Sequence, residues 1–148
     1  MTKNKEVAYC GLYCGNCVIR NGKIGSLSIK MLEHIDTPEF QKLANGLPNV
    51  MPEMFCELKN YQSFLQTLKE VTNLGCEKIC KNGGGSTECK IRRCCQMKSY
   101  DGCWECTDFN DCNILAWLNP VHDGANVKNI SRIRRIGMEA FLKGRKCW

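Results

Sequence analysis

Long apolar runs are missing from this sequence. The nearest to one, such as Ile114 to Leu118, falls far short of the roughly 20 residues a membrane helix requires, so no membrane partner is expected. Lys3 and Lys5 are not followed by an apolar stretch of signal-peptide length. That argues against a cleaved secretion signal and for a cytoplasmic location. Histidine is scarce: only His34 and His122 occur, and neither has metal-like spacing. No segment alternates apolar and polar residues for long enough to read as a strand. Catalytic signatures are also absent. There is no H-E-x-x-H, no Ser-His-Asp set, and Gly83-Gly84-Gly85 does not run on into the Gly-Lys-Ser/Thr of a phosphate loop. No residue advertises an enzyme.

Cysteine is what the sequence has in excess, with 13 among 148 residues. That is near the level at which composition implies crosslinks or metal. In a reducing compartment structural disulfides are rare, and the odd count argues against a complete disulfide framework. The remainder is ordinary: 43% hydrophobic and 24% charged residues, which excludes disorder and suits a single domain over residues 1–148. The formal charge of +6 assumes protonated thiols. Eight thiolates on two zinc ions would leave about +2, so the basic balance is weak evidence for an anionic partner.

Hydrophobic spacing predicts helices on both sides of the cysteine-rich segment. Ile24, Leu27, Met31 and Ile35 share a helical face. Thr37-Pro38-Glu39 starts a helix with an N-cap hydroxyl and a proline at the first position. Phe40, Leu43, Ala44 and Leu47 continue it, and Pro48 is expected to close it. A longer helix is expected from about Pro52 to Asn73, with Phe55, Leu58, Tyr61, Phe64, Leu65, Leu68 and Val71 as its core stripe. In the tail, Asp111 would cap a helix over Cys112 to Leu118 ended by Pro120. Asn126 would cap another reaching about Lys143, with Val127, Ile130, Ile133, Ala140 and Phe141 buried and Gly144 as terminator. The fold class is therefore mainly α. A small helical part, about 18–75 and 112–144, accompanies a loop-rich, cysteine-rich metal-binding lobe at about 76–112 joined by 10–17.

Cysteine spacing carries the chemistry. Cys14-Gly-Asn-Cys17 and Cys103-Trp-Glu-Cys106 are C-x2-C pairs, and Cys76-Glu-Lys-Ile-Cys80 is a C-x3-C pair. A two-residue gap lets both sulfurs turn toward one ion while intervening amides donate to the thiolates. Gly83-Gly84-Gly85 supplies a bend that can bring Cys80 and Cys89 together. The favoured partition is Cys76, Cys80, Cys89 and Cys94 for one zinc, and Cys14, Cys17, Cys103 and Cys106 for a second, with Cys10 and Cys112 as alternates. Cys56 reads as a buried free thiol on a helix. Cys95 and Cys147 read as spare.

Two other chemistries stay open. Cys10-x3-Cys14-x2-Cys17 has the cluster spacing seen in radical S-adenosylmethionine enzymes, so an iron–sulfur cluster is the alternative cofactor. Those enzymes use α/β scaffolds, and alternating strands and helices are not read here. A C-x2-C dithiol could also serve thiol redox catalysis, but that case expects a βαβ setting.

Together, Cys10-Gly-Leu-Tyr-Cys14-Gly-Asn-Cys17, Gly83-Gly84-Gly85, Cys89-Lys-Ile-Arg-Arg-Cys94-Cys95 and Gly102-Cys103-Trp-Glu-Cys106, followed by Phe109 and Cys112, resemble a prokaryotic domain-of-unknown-function family numbered 3795. The resemblance implies a cytoplasmic zinc-binding protein. It carries a candidate ligand role to Cys10, Cys14, Cys17, Cys76, Cys80, Cys89, Cys94, Cys103, Cys106 and Cys112. One departure concerns the local turn: such proteins often place a proline before the last cysteine, where this chain has Asp111.

The leading functional reading is a non-catalytic zinc protein, a structural or interaction module whose metal binding is coupled to folding of the lobe. Trp104, Trp117 and Trp148 are candidates for a surface that meets a protein partner. The second reading is nucleic-acid binding. Lys128, Arg132, Arg134, Arg135, Lys143, Arg145 and Lys146 stand against the single acid Glu139 over residues 127–148. The third is the iron–sulfur or thiol redox enzyme.

Overall fold

The computed structural model describes residues 6–148; Lys3 and Lys5, used above in reading the amino end, lie outside them. The protein is mainly helical, with no strand among the described residues beyond an isolated antiparallel bridge between Val7 and Tyr13. No helix among them is long and apolar enough to cross a membrane. The chain divides into two compact units, Gly22–Gly75 and the remainder, so the tail helices belong with the cysteine-rich lobe.

The unit Gly22–Gly75 is built from α1 (Ile24–Ile35), α2 (Pro38–Val50) and α3 (Tyr61–Val71). Thr37 caps α2 as its sequence predicts: its hydroxyl accepts from the Phe40 amide at 3.2 Å. Ile35, Ala44, Tyr61, Leu65 and Leu68 form the core of this unit. The inward face of α1 is not the predicted one. Gly25, Ser28 and Ile35 are buried, whereas Leu27 and Met31 are 55% and 47% exposed. Small residues win because the chain passes close by: a Cβ on Gly25 would lie 2.9 Å from the Gly75 amide nitrogen.

Two helix boundaries also differ. Pro48 does not close α2, which runs two residues further. Proline lacks only its own N–H, and Met51 still donates to the Leu47 carbonyl at 2.9 Å. The helix expected over Pro52–Asn73 breaks. A single turn, Pro52–Phe55, leads into a 3₁₀ segment, Cys56–Asn60, before α3 begins. The Asn60 amide reaches back to the Glu57 carboxylate at 2.8 Å, and the Tyr61 hydroxyl donates to the Ile35 carbonyl; both favour this tighter path. The break leaves Cys56 exposed, not buried. Phe64 also departs from the predicted stripe and is 47% exposed.

The second unit holds α4 (Lys90–Met97), α5 (Ala125–Ile136) and α6 (Met138–Lys143), with short helical turns at Asn113–Ala116 and Asn119–His122. Pro120 therefore sits at the start of a turn and does not end one, as suits a residue without an N–H. The single tail helix expected to Lys143 is divided at Gly137, whose φ is +79°. Asn126 does not cap α5. It lies inside the helix, fully buried, and donates to the Leu115 carbonyl at 3.2 Å. Ile130, Ile133 and Phe141 are buried as expected, while Ala140 is exposed because the division re-aims the last turns. Two cysteines belong to the main core here: Cys95 and Cys103 pack with Ile91, Phe109, Leu115 and Ile130.

Candidate metal centre

All ten cysteines assigned a ligand role lie in the second unit. The amino-terminal segment is fixed first. The Cys103 amide donates to the Tyr9 carbonyl at 2.8 Å, and the Tyr9 N–H donates to the Cys80 sulfur. The chain then turns at Gly11, whose φ is +83°; a side chain there would meet Ile130 of α5. That turn separates Cys10 from Cys14. Each C-x2-C pair brackets one 3₁₀ turn: Cys17 N–H bonds the Cys14 carbonyl at 3.2 Å, and Cys106 N–H bonds the Cys103 carbonyl at 3.1 Å. The glycine bend behaves as its sequence suggests. Gly83 and Gly85 take positive φ, Gly84 N–H bonds the Ile79 carbonyl at 2.9 Å, and Arg92 donates to the Gly84 carbonyl. Cys89 then returns beside Cys80.

Two neighbourhoods of sulfur result. In the first, Cys10 is within electrostatic reach of Cys80, Cys14 and Cys89, and Cys14 of Cys80, Cys76 and Cys17, while Cys10 also acts on Cys103 of the second. In the second, Cys94, Cys95, Cys103, Cys106 and Cys112 line one cavity of about 220 Å³ together with Lys98, Tyr100 and Phe109. The charge interactions of Cys14 run to Cys80, Cys76 and Cys17, on the far side of the Gly11 turn from Cys10. Cys89 is the residue before α4, and five residue steps put Cys94 about 7.5 Å further along the helix axis and about 140° around it.

Burial dominates the acid–base chemistry of the first neighbourhood. It pushes the Cys10 thiol up to about 12, against a hydrogen bond from the Leu12 amide, with Cys80, Cys14 and Cys89 adding to the rise. Cys14 is likewise pushed up to about 12 by burial and by Cys80, Cys76 and Cys17. Burial also raises Cys80, while the Tyr9 amide and the Arg92 guanidinium oppose it. In the second neighbourhood the Cys95 and Cys103 sulfurs lie 3.6 Å apart. The shared hydrogen bond lowers Cys95 and raises Cys103, so the proton stays on Cys103. Among the described residues, no three or more cysteine, histidine, aspartate or glutamate side chains are gathered closely enough to hold an ion.

Two residues of this region escaped the sequence reading. Cys95, read as spare, is 2% exposed and sits at the wall of the cysteine cavity. Its signal was the adjacent pair Cys94-Cys95. On a helix, neighbours diverge by about 100°, which sends one inward when the other is half-buried. Lys81 is the other. Its ammonium pairs with Asp101 at 2.8 Å and lies over the Tyr9 and Trp104 rings at 5.5 and 4.7 Å. There it lowers both Cys80 and Cys95, one thiol from each neighbourhood. Cys147 is exposed, and its backbone is clamped by Asn129, which accepts from its N–H and donates to its carbonyl, both at 2.9 Å.

The basic tail is partly committed to internal contacts. Arg134 donates to the Cys106 carbonyl at 2.6 Å and lies over Phe109. Lys146 sits over the Tyr13 ring at 4.6 Å, and Lys143 pairs with Glu139 at 2.8 Å. Trp117 and Trp148 are 63% and 50% exposed.

Comparison with known proteins finds one family. The family model described as "Protein of unknown function (DUF3795)" matches residues 6–117. No curated protein and no solved structure matches the chain.

Proposed function

We propose that this chain, which belongs to the DUF3795 family of proteins of unknown function, binds zinc through the thiolates of its cysteine-rich unit and serves as a structural and interaction module in the cytoplasm. The observation that carries this reading is the gathering of Cys94, Cys95, Cys103, Cys106 and Cys112 around one cavity, with Cys10, Cys14, Cys76, Cys80 and Cys89 brought within electrostatic reach of one another from segments more than 50 residues apart in sequence. The donor chemistry fits zinc, which takes four thiolates in a closed structural site. One ion draws its ligands from Cys10, Cys14, Cys17, Cys76, Cys80 and Cys89. A second draws them from Cys94, Cys95, Cys103, Cys106 and Cys112.

The 3.6 Å between the Cys95 and Cys103 sulfurs supports the second set. Two ligands of a tetrahedral ion with bonds of about 2.3 Å lie about 3.8 Å apart. Elsewhere the sulfurs must rotate inward, so binding and ordering of the lobe are one process. The half-buried Cys10 and Cys14 thiols hold their protons to about pH 12 without a cation, so metal uptake displaces protons. The exposed Trp117 and Trp148 are the side chains that a protein partner of this unit would meet.

Elemental analysis of anaerobically purified protein, with a visible spectrum beside it, tests this reading. Two zinc equivalents without colour are expected. Cys80→Ser and Cys106→Ser should each remove one equivalent and leave the other. A protein without zinc, or a brown one holding iron and sulfide, overturns the proposal, the latter in favour of a cluster.

A further inference from the structure

The break at Cys56–Asn60 has a consequence unrelated to cysteine. It folds the turn Pro52–Phe55 away from the line of α3 and opens a cavity of about 600 Å³ in the helical unit. Its volume lies within the range of small-molecule sites, about 300–1,000 Å³. Met31, Phe40, Met54, Phe55, Leu58 and Phe64 supply most of its wall, and Met31, Met54 and Phe64 remain substantially exposed. Methionine and aromatic side chains are what an adaptable apolar site uses.

The polar groups on the wall are few and chemically distinct. The Tyr61 hydroxyl is already committed to the Ile35 carbonyl. Glu57 is the one charged residue among the described lining. Glu57 is exposed at the mouth of the cavity; its carboxylate accepts from Asn60 at 2.8 Å and from the Cys56 thiol at 3.9 Å, and no lysine, arginine or histidine among the described residues forms an ion pair with it. An apolar cavity with one oriented, unpaired carboxylate on its wall matches an occupant with an apolar body and a cationic end. An anion of the same shape would meet repulsion, and a neutral one would gain only the apolar contacts.

We propose that this cavity is a binding site for a small organic cation with an alkyl or aryl body, whose ammonium group meets the Glu57 carboxylate while its apolar part lies between Met54, Phe55 and Phe64. The site is independent of the thiol chemistry, since every lining residue lies in Gly22–Gly75.

The test uses the full-length, zinc-loaded protein and three probes with one alkyl chain: n-octylamine, n-octanol and octanoate. Binding is followed by calorimetry, and amide shifts locate the probe. Octylamine is expected to bind about two- to fivefold more tightly than octanol, which is what an ion pair at an exposed carboxylate contributes. Octanoate should bind more weakly than octanol, and the perturbed amides should fall within residues 31–64. Glu57→Gln keeps the size of the side chain and a carbonyl for Asn60, and should erase the preference for the amine while leaving octanol binding unchanged. Phe64→Ala, at an exposed position, should weaken all three. Equal binding of the probes, a preference that persists in Glu57→Gln, shifts outside residues 31–64, or no binding overturns the proposal. Each of these outcomes leaves the zinc content unaffected and so stands apart from the test of the metal site.

Discussion

Gly11 holds the turn that parts Cys10 from Cys14, and an alanine there can be costed from the structure. Its φ is +83°, and a Cβ would come within 2.7 Å of Ile130 Cγ1 and 3.1 Å of the Asn126 carbonyl oxygen. Ile130 is fully buried, and Asn126 belongs to the α5 backbone, so neither neighbour can move away freely. Two costs therefore add. Placing an L-residue at left-handed φ costs about 1–2 kcal/mol, and forcing a methyl group into a packed contact costs about 1–3 kcal/mol. Gly11→Ala should thus destabilise by about 2–5 kcal/mol. Two other glycines separate the terms. Gly124 has φ +68° and nothing within 4 Å of a Cβ, so Gly124→Ala carries only the backbone cost of about 1–2 kcal/mol. Gly46 lies inside α2 with open space around it, so Gly46→Ala should stabilise by about 0.5–1 kcal/mol. Urea unfolding of the three zinc-loaded variants gives the comparison. Tryptophan fluorescence reports the first two, because Trp104, Trp117 and Trp148 all lie in the cysteine-rich unit; far-ultraviolet dichroism reports the third. If Gly11→Ala costs no more than Gly124→Ala, the close docking of the Gly11 turn on α5 is wrong.

Three further outcomes follow from the same geometry. In metal-free protein the Cys10 and Cys14 thiols are raised from 9.0 to about 12; the unfolded chain ionises first, so stability present below pH 9 should fall between pH 9 and 12. Melting curves across that window check the sign, and a stability that rises there contradicts the burial of these thiols. Tyr61→Phe strands the Ile35 carbonyl and should cost about 1–3 kcal/mol in urea unfolding. Cys95→Ser should lower bound zinc in elemental analysis, whereas Cys56→Ser, at an exposed thiol, should change neither zinc content nor unfolding midpoint.

The helical class and several elements were legible because their signals are local. Thr37-Pro38-Glu39 carries its own cap, and the glycine run carries its own bend, so both appear where the sequence places them. The faces and boundaries were less legible because they depend on neighbours. The pattern Ile24, Leu27, Met31, Ile35 is a good helical stripe, yet the approach of Gly75 selects the small residues Gly25 and Ser28 instead. The uninterrupted spacing from Phe55 to Val71 gave no hint of the 3₁₀ break, which rests on Asn60 and Tyr61 finding partners outside that stripe. For the cysteines, spacing identified the pairs but not their grouping. The Gly11 turn and the rise and rotation of α4 direct these pairs, and a count of intervening residues contains neither. Lys81, set between Tyr9 and Trp104, was invisible for the same reason: its partners lie at distant positions in the chain.

The most direct test of the central claim is zinc-edge X-ray absorption on the anaerobically purified, full-length protein. A first shell of about four sulfurs per zinc at about 2.3 Å, with no nitrogen or oxygen component, is expected. A shell dominated by nitrogen or oxygen, or a protein that holds no zinc to measure, would contradict it.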